Sequence, residues 1–248
     1  MPTILITGYG VVGHNLAAEL APLHPLIYDK YKPPYTTYPS VPIDVEFICV
    51  NTPRTETEAC DRTEVYNALR QTTAKVVVIK STVLPGTTAE LRKIFQRPIV
   101  FSPEYYGGTQ HCNNFDFNFT ILGGDPADCR RVQQVLQHVY DGRHTFHITD
   151  STTAELAKYM ENAWLATKVS FCIQFAQLAE QAGVNYEQLR ELFILDPRVN
   201  PSHTFVYDDH PYWSSHCLDK DVPAIAEWGN AELLKAIIQF NNHCKKDS

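Results

Sequence analysis

Three glycines near the start of the chain restrict what it can fold into more than any other feature. They follow the apolar run ILIT and lead into VVGHNLAAEL, which is typical of a helix. In such a strand–turn–helix the first glycine permits a tight turn, the second lets backbone approach a pyrophosphate, and the third lets helix and strand pack closely. The pattern predicts a dinucleotide-binding turn formed by Gly8, Tyr9, Gly10, Val11, Val12 and Gly13.

An acidic residue stands where such a turn needs one. Asp29 ends the second apolar run, IYD, and lies about twenty residues beyond the glycines. A carboxylate there accepts hydrogen bonds from both ribose hydroxyls and repels a 2′-phosphate. Lys30 and Lys32 weaken this preference, because either can meet an extra phosphate. We therefore expect NAD as the cofactor, with NADP as the less favoured choice.

Short apolar runs alternate with helix-like stretches through the first 150 residues, which is typical of an open, largely parallel sheet covered by helices. The runs are ILIT, PLIY, EFICV, KVVVIK, PIVFSPE, NFTILGG and HTFHIT. The stretch YKPPYTTYPSVP contains too many prolines for a regular helix and is predicted to be a loop. The fold class expected is α/β, a Rossmann-type doubly wound parallel sheet.

The character of the sequence changes after Asp150. Apolar residues recur at helical spacing over 151–183, which predicts one long helix that ends near Gly183. Ser151 or Thr152 can cap its start, with Glu155 placed for a capping box.

Two further helices are expected, over 186–195 and over 222–241, with an irregular aromatic segment between them. This divides the chain into a dinucleotide-binding domain, 1–149, and a small all-helical domain, 150–248, that contains the long helix.

Composition narrows the class of partner. The formal net charge of -7 argues against nucleic acid, because phosphate backbones need a basic face. No apolar run approaches the roughly 20 residues that span a bilayer, so no membrane association is expected. An odd number of scattered cysteines suits a reduced, cytoplasmic protein, and no grouping has metal-site spacing. The seven cysteines are Cys49, Cys60, Cys112, Cys129, Cys172, Cys217 and Cys244.

Six further segments, in the same order, resemble the UDP-glucose/GDP-mannose dehydrogenase family, whose members oxidise a sugar-nucleotide alcohol to a carboxylate with NAD. FICVNTP is similar to a family strand that ends in a Thr-Pro pair, KSTVLPGT to its STVxxGT loop, and FSPEYYGG to its NPEF segment. ELAKYMENAWLATKVSF is similar to the helix that carries its Lys and Asn, DPRV to its DPRIG turn, and HCLDKD to the end of its GGSCFPKD loop.

The resemblance implies an oxidation by two hydride transfers through a covalent thiol adduct. Cys217 is the candidate thiol, since a thiolate can add to the intermediate aldehyde and yield a thioester that water hydrolyses. Lys220, Asp221 and Lys158 supply nearby charge that can lower the pKa of this thiol or steady an oxyanion. A lone cysteine is more often a small buried side chain, so the assignment depends on these neighbours.

The same resemblance assigns the other site residues. Lys158 and Asn162, one helical turn apart, stabilise developing negative charge on the substrate. Glu104, Thr82 and Asp221 position water or relay a proton. Arg198 reaches a substrate group, and Thr52, Pro53, Thr82 and Lys220 complete the set of cofactor-binding residues.

The chain also departs from the family pattern. Family members usually continue into a C-terminal domain that grips the nucleotide, whereas this sequence ends one helix beyond Cys217. YDDHPYWSSHC replaces the glycine-rich approach to the cysteine, and Asn200 stands where a glycine is expected. We therefore expect that a partner supplies the missing surface, that the substrate differs, or that activity has decayed.

The resemblance and the apolar breadth of the long helix predict a homodimer packed on 151–183. Two other functions stay open. A two-electron dehydrogenase of the β-hydroxyacid type would use a helix Lys and Asn without Cys217, and a non-catalytic NAD-binding regulator would need neither Lys158 nor Cys217.

Overall fold

The computed structural model describes residues 1–55, 60–106 and 117–247. Gly107 and Gly108 of the predicted FSPEYYGG segment, and Cys112, lie outside these ranges. The strands are β1 Ile4–Thr7, β2 Leu26–Tyr28, β3 Val45–Ile48, β4 Val76–Ile79, β5 Ile99–Phe101, β6 Phe119–Gly123 and β7 Thr145–Thr149. The helices are α1 Val11–Glu19, α2 Thr63–Gln71, α3 Thr87–Phe95, α4 Pro126–Leu136, α5 Ser151–Gln181, α6 Tyr186–Phe193, α7 Leu218–Trp228 and α8 Glu232–Asp247.

The seven strands form one sheet in the order β2-β1-β3-β4-β5-β6-β7. Neighbouring strands are parallel throughout, except for β5 and β6. Each predicted apolar run forms one of these strands, so the largely parallel Rossmann-type sheet is confirmed. The strand order reverses between β1 and β3, and in sheets of this type ligands bind outside the carboxyl ends of the strands at such a reversal.

Both faces of the sheet are covered at its centre, where β1, β3, β4 and β5 are buried at every residue, whereas the edge strand β7 alternates polar and apolar residues. Successive residues of β1 point to opposite faces. Ile4 and Ile6 pack in the core that also contains Leu16 of α1 and Val132 of α4. Leu5 packs in the second core, together with residues of α2 and α3. The chain therefore winds around the sheet on both sides, as predicted.

The chain divides into two compact units within α5. The first is Met1–Thr55 with Cys60–Lys158 and contains the sheet, and the second begins at Tyr159. The second unit is helical in its described part and has its own core of Ala166, Trp213, Leu218, Val222 and Ile237. The predicted domain boundary between residues 149 and 150 stays a prediction.

The predicted cap of the long helix is wrong. The carboxylate of Asp150, not a hydroxyl of Ser151 or Thr152, accepts hydrogen bonds from the amide of Thr153 at 2.9 Å and from its hydroxyl at 2.6 Å. Glu155 forms no capping box, because its carboxylate accepts the amides of Gly86 and Thr88 instead. A charged acceptor at the cap position displaces the weaker hydroxyl.

The predicted last helix is two helices. Helix α7 ends at Trp228, and Asn230 adopts the left-handed conformation with φ 47° before α8 begins. Glycine and asparagine tolerate the backbone that ends a helix, so the Gly229–Asn230 pair makes the break. Helix α6 is shorter than predicted and ends at Phe193.

No helix in the described ranges is long and apolar enough to cross a bilayer. Among those same residues, no group of three or more His, Cys, Asp and Glu side chains is placed to hold a metal ion. The expectation of a cytoplasmic protein stays a prediction.

Candidate functional site

The glycine turn joins β1 to α1, as predicted. Gly8 has φ +91°, and a Cβ there would lie 2.6 Å from the carbonyl oxygen of Cys49, directly after β3. A Cβ on Gly13 would lie 1.9 Å from the carbonyl oxygen of Gly8. The packing of the protein itself therefore requires glycine at these two positions.

Gly10 differs, because a Cβ there would meet no protein atom within 4 Å. It precedes the first turn of α1, which has no side-chain cap and no acidic residue. Amides at a helix start bind phosphate, and a side chain at Gly10 would fill the space through which a pyrophosphate approaches them. The turn thus fits the phosphates of a dinucleotide.

Asp29 follows β2 and is tied to the glycine turn. Its Oδ2 accepts a hydrogen bond from the backbone N–H of Tyr9 at 2.8 Å, and its Oδ1 accepts one from the backbone N–H of Tyr31 at 2.9 Å. A carboxylate offers about four acceptor positions, so two remain for ribose hydroxyls. The ammonium group of Lys32 donates a hydrogen bond to the carbonyl oxygen of Tyr9 at 2.7 Å, which is a second contact between the segment after β2 and the glycine turn.

The loops after β3 and β4 meet at the same edge of the sheet. The hydroxyl of Thr52 donates to the carbonyl oxygen of Thr82 at 2.9 Å, and both residues are buried. Pro53 follows Thr52 directly. The structure therefore brings together the predicted cofactor-binding residues of these two loops.

Lys80 lies at the same edge of the sheet and is not among the site residues predicted from the sequence. It follows β4, and its ammonium group donates to the carbonyl oxygen of Pro103 at 3.1 Å. Burial lowers the pKa of Lys80, the carboxylate of Glu104 opposes this shift, and the charge of Lys158 adds to it. Lysine directly after a buried strand, at the carboxyl edge of the sheet, is the signal that identifies it.

Glu104 and Lys158 are both buried, with 7% and 4% of their surface exposed. Glu104 accepts the amide of Tyr106 at 2.8 Å. The ammonium nitrogen of Lys158 lies 4.9 Å from the centre of the Tyr105 ring, within the range of a cation–π contact. The first unit thus places two lysines and one glutamate in one low-dielectric environment, where charge–charge interactions are strong.

Glu155, in the second turn of α5, ties this helix to the loop after β4. Its two carboxylate oxygens accept the amides of Gly86 at 2.6 Å and of Thr88 at 2.7 Å, at the start of α3. Burial raises the pKa of Glu155, and the two amide hydrogen bonds oppose that shift. Because Lys158 follows within one helical turn, this contact fixes the helix that carries it.

In the second unit, Cys217 directly precedes α7 and is partly exposed. The hydroxyl of Ser215 accepts the amide of Leu218 at 3.0 Å, and the carbonyl oxygen of Cys217 accepts the amide of Asp221 at 2.7 Å. A thiol at a helix start lies near partly positive amides, which favour the thiolate. The other cysteines of the described ranges are buried.

A buried network surrounds Asp221. Its Oδ2 accepts the side-chain amide of Asn162 at 2.7 Å, and its Oδ1 accepts the ammonium group of Lys220 at 2.5 Å. Asp221 is 1% exposed and Asn162 4% exposed. The structure therefore places two predicted residues, Asn162 and Lys220, against the carboxylate of a third, Asp221. Lys220 balances the charge of this carboxylate.

Arg198 is not part of this network. Its side chain is 88% exposed and pairs with Asp196, in the same turn, at 2.5 Å. Its predicted contact with substrate stays a prediction.

The segment before Cys217 is anchored by residues that the sequence reasoning did not single out. The side chain of Asn241 accepts the amide of Trp213 at 2.9 Å and donates to its carbonyl oxygen at 3.0 Å. The indole N–H of Trp213 donates to the hydroxyl of Ser170 at 3.0 Å. Trp213 and Asn241 are both buried, so the segment YDDHPYWSSHC before Cys217 is held by packed side chains.

Two models of one family match the chain. Residues 36–143 match the NAD binding domain of the UDP-glucose/GDP-mannose dehydrogenase family, and residues 152–243 match its central domain. The first range contains Thr52, Thr82 and Glu104, and the second contains Lys158 and Cys217.

Individual relatives agree with this assignment. The chain is 27% identical to a UDP-N-acetyl-D-mannosamine dehydrogenase of Methanocaldococcus jannaschii, over 80% of this chain and 48% of the relative. It is 28% identical to a UDP-glucose 6-dehydrogenase of Rickettsia felis, over 79% of this chain and 47% of the relative. The chain thus spans about half the length of these curated relatives.

The fold is also similar to a solved structure, a UDP-glucose dehydrogenase from Pyrobaculum islandicum. The TM-score is 0.81 at 24% identity, and the match covers 98% of this chain and 68% of the other.

Proposed function

The chain belongs to the UDP-glucose/GDP-mannose dehydrogenase family, and we propose that it oxidises the C6 alcohol of a UDP-glucose-like sugar-nucleotide to the carboxylate. The observation that carries this proposal is the network in the second unit. It joins Lys220 and Asp221, in the first turn of α7, to Asn162 of α5. The partly exposed thiol of Cys217 directly precedes α7.

NAD is the cofactor, and when bound it would supply the oxidant by taking a hydride, one proton with two electrons, from the substrate carbon in each oxidation. The glycine turn and Asp29 would hold its phosphates and ribose, since Gly10 leaves open space in front of the amides of α1. The remaining residues proposed for this role are Thr52, Pro53, Thr82 and Lys220.

Cys217 makes four-electron oxidation possible at one site. The first oxidation removes a hydride from C6 and a proton from its hydroxyl, which leaves an aldehyde. The Cys217 thiolate adds to the aldehyde carbon, and the oxygen takes up a proton. A second oxidation gives a thioester, and attack by water breaks the C–S bond, releases the carboxylate and restores the thiol.

The charged residues support these steps. Lys158 and Asn162 stabilise negative charge on the C6 oxygen, which is largest when the thiolate has added. Burial of Lys158 strengthens this interaction. Glu104, Thr82 and Asp221 position the hydrolytic water or carry its proton, and Arg198 contacts a remote group of the substrate.

Counting NADH tests this proposal. Wild type and Cys217→Ser are supplied with NAD and a panel of sugar nucleotides, sugars and hydroxyacids, and NADH is measured per substrate consumed. We expect two NADH for wild type, and one NADH or a trapped adduct for Cys217→Ser. Cys244→Ser, at a buried thiol of α8, is the matched control and should keep the wild-type count.

Other outcomes identify the alternatives. One NADH per substrate in both proteins supports the two-electron β-hydroxyacid-type reaction, which uses Lys158 and Asn162 without the thiol. Binding of NAD without turnover of any substrate supports a non-catalytic regulator. Either result overturns the thioester mechanism.

We also propose that the chain forms a homodimer through α5. Large apolar side chains on this helix are exposed in the single chain, including Met160 at 75%, Trp164 at 60% and Phe171 at 49%. Several large exposed apolar side chains on one helix are typical of an interface. Light scattering at micromolar concentration should give the mass of a dimer, and Trp164→Glu should shift it towards monomer. A monomeric wild type would refute the proposal.

A further inference from the structure

Two lysines follow Asp29 at the position where NADP-dependent enzymes place a cation for the 2′-phosphate. On sequence alone, Lys30 and Lys32 therefore weaken the preference for NAD. Whether they do so depends on where their ammonium groups point.

Both ammonium groups have partners within the protein. Lys30 lies 2.9 Å from Oε1 and 2.7 Å from Oε2 of Glu64, in the first turn of α2. Lys32 donates to the carbonyl oxygen of Tyr9 at 2.7 Å. The hydrogen bond with Glu64 is the largest influence on the pKa of Lys30 and raises it, so Lys30 carries its positive charge at neutral pH.

We infer that Glu64 determines cofactor specificity by holding Lys30, so that the lysine does not bind a 2′-phosphate. The inference rests on the proposed use of NAD at the Asp29 edge. Asp29 repels the phosphate directly, and Glu64 acts through the cation that would otherwise offset this repulsion. The carboxylates of Asp29, directly after β2, and Glu64, at the start of α2, thus both disfavour a 2′-phosphate.

The charges explain why Glu64 matters more than its surface position suggests. Lys30 is 37% exposed and Glu64 29% exposed, so a phosphate could reach the ammonium group if Glu64 released it. With Glu64 present, Asp29, Lys30 and Glu64 together carry one net negative charge. With glutamine at position 64 the same group is neutral, and its only cation is able to form a charge-assisted hydrogen bond with phosphate.

The test compares dissociation constants of NAD and NADP, measured by isothermal titration calorimetry on the full chain. Glu64→Gln should lower the dissociation constant of NADP by about three- to tenfold and leave that of NAD within about twofold. Glu64→Gln combined with Lys30→Met should lose this gain. Glu90→Gln is the matched control, because it removes the same charge from another ion pair, with Arg62 at 2.7 Å.

An unchanged ratio of the two constants in Glu64→Gln would overturn the inference, as would an equal gain in Glu90→Gln or a gain that persists without Lys30. If the unsubstituted chain binds neither cofactor, the proposed function fails and the inference fails with it. Binding of NAD with an unchanged ratio refutes the inference alone.

Discussion

Asn241 offers a direct test of how the segment before Cys217 is held. Its side chain is 1% exposed and pairs with both the N–H and the C=O of Trp213. Alanine at position 241 leaves both main-chain groups buried without these partners. Each unsatisfied buried group costs about 1–3 kcal/mol, so Asn241→Ala should lower the free energy of unfolding by about 2–4 kcal/mol.

Urea unfolding followed by tryptophan fluorescence measures this loss. The three tryptophans, Trp164, Trp213 and Trp228, all belong to the second unit, so the signal reports the unit that contains the anchor. Asn242→Ala is the matched control, because Asn242 is the next residue of α8 and is exposed. We expect the control to change stability by less than about 0.5 kcal/mol. The reasoning is refuted if Asn241→Ala and Asn242→Ala differ by less than about 1 kcal/mol.

Two further predictions concern the first unit and the start of α5. Gly8→Ala should destabilise the protein by about 1–3 kcal/mol, because its Cβ would lie 2.6 Å from the carbonyl oxygen of Cys49. Gly10→Ala should leave the stability unchanged and weaken NAD binding, because a Cβ there meets no protein atom. Thermal unfolding measures the stability and calorimetry the binding, and equal effects of the two substitutions on stability would contradict the prediction. Asp150→Ala should cost about 1 kcal/mol at neutral pH. The hydrogen bonds with Thr153 lower the pKa of Asp150 below its ordinary 3.8, so its contribution is present above that value and disappears as the pH falls through the lowered pKa. Urea unfolding at neutral and acidic pH should show the deficit shrinking in acid, and a constant deficit would exclude this cap.

Most of the sheet could be predicted from sequence because its central strands, β1, β3, β4 and β5, are buried at every residue. These strands lie in short apolar runs, and glycine, aspartate or lysine directly follows β1, β2, β4, β6 and β7. The glycine turn could also be predicted from sequence, since a Cβ at Gly8 or Gly13 would lie too close to backbone atoms.

What could not be predicted depends on contacts between distant residues. Glu155 reads as a local capping residue, but its partners are Gly86 and Thr88, nearly 70 positions earlier in the chain. Asn241 is one of two adjacent asparagines on α8, and only the fold shows which of them contacts Trp213. Local sequence carries no signal for a side-chain acceptor that arrives from another element.

The candidate site divides in the same way. Asp29 was predictable because it directly follows β2 at the expected distance from the glycine turn, and Lys80 has the same placement after β4 but is not among the residues to which the resemblance assigns a role. The partner of Lys30 on α2 was not accessible from sequence, because an ion pair between separate elements leaves no periodic pattern.

The hydrogen bonds of Glu155 bear on how the sheet unit is completed during synthesis. The amides of Gly86 and Thr88, at the start of α3, have no carboxylate partner until Glu155, in the second turn of α5, has been made, 69 and 67 positions later. A nascent chain that ends at residue 149 has every strand of the sheet but lacks this acceptor, and also lacks Ala154, which belongs to the core. The first unit is therefore complete only when the start of the long helix is present, and a fragment intended to fold alone should extend to Lys158.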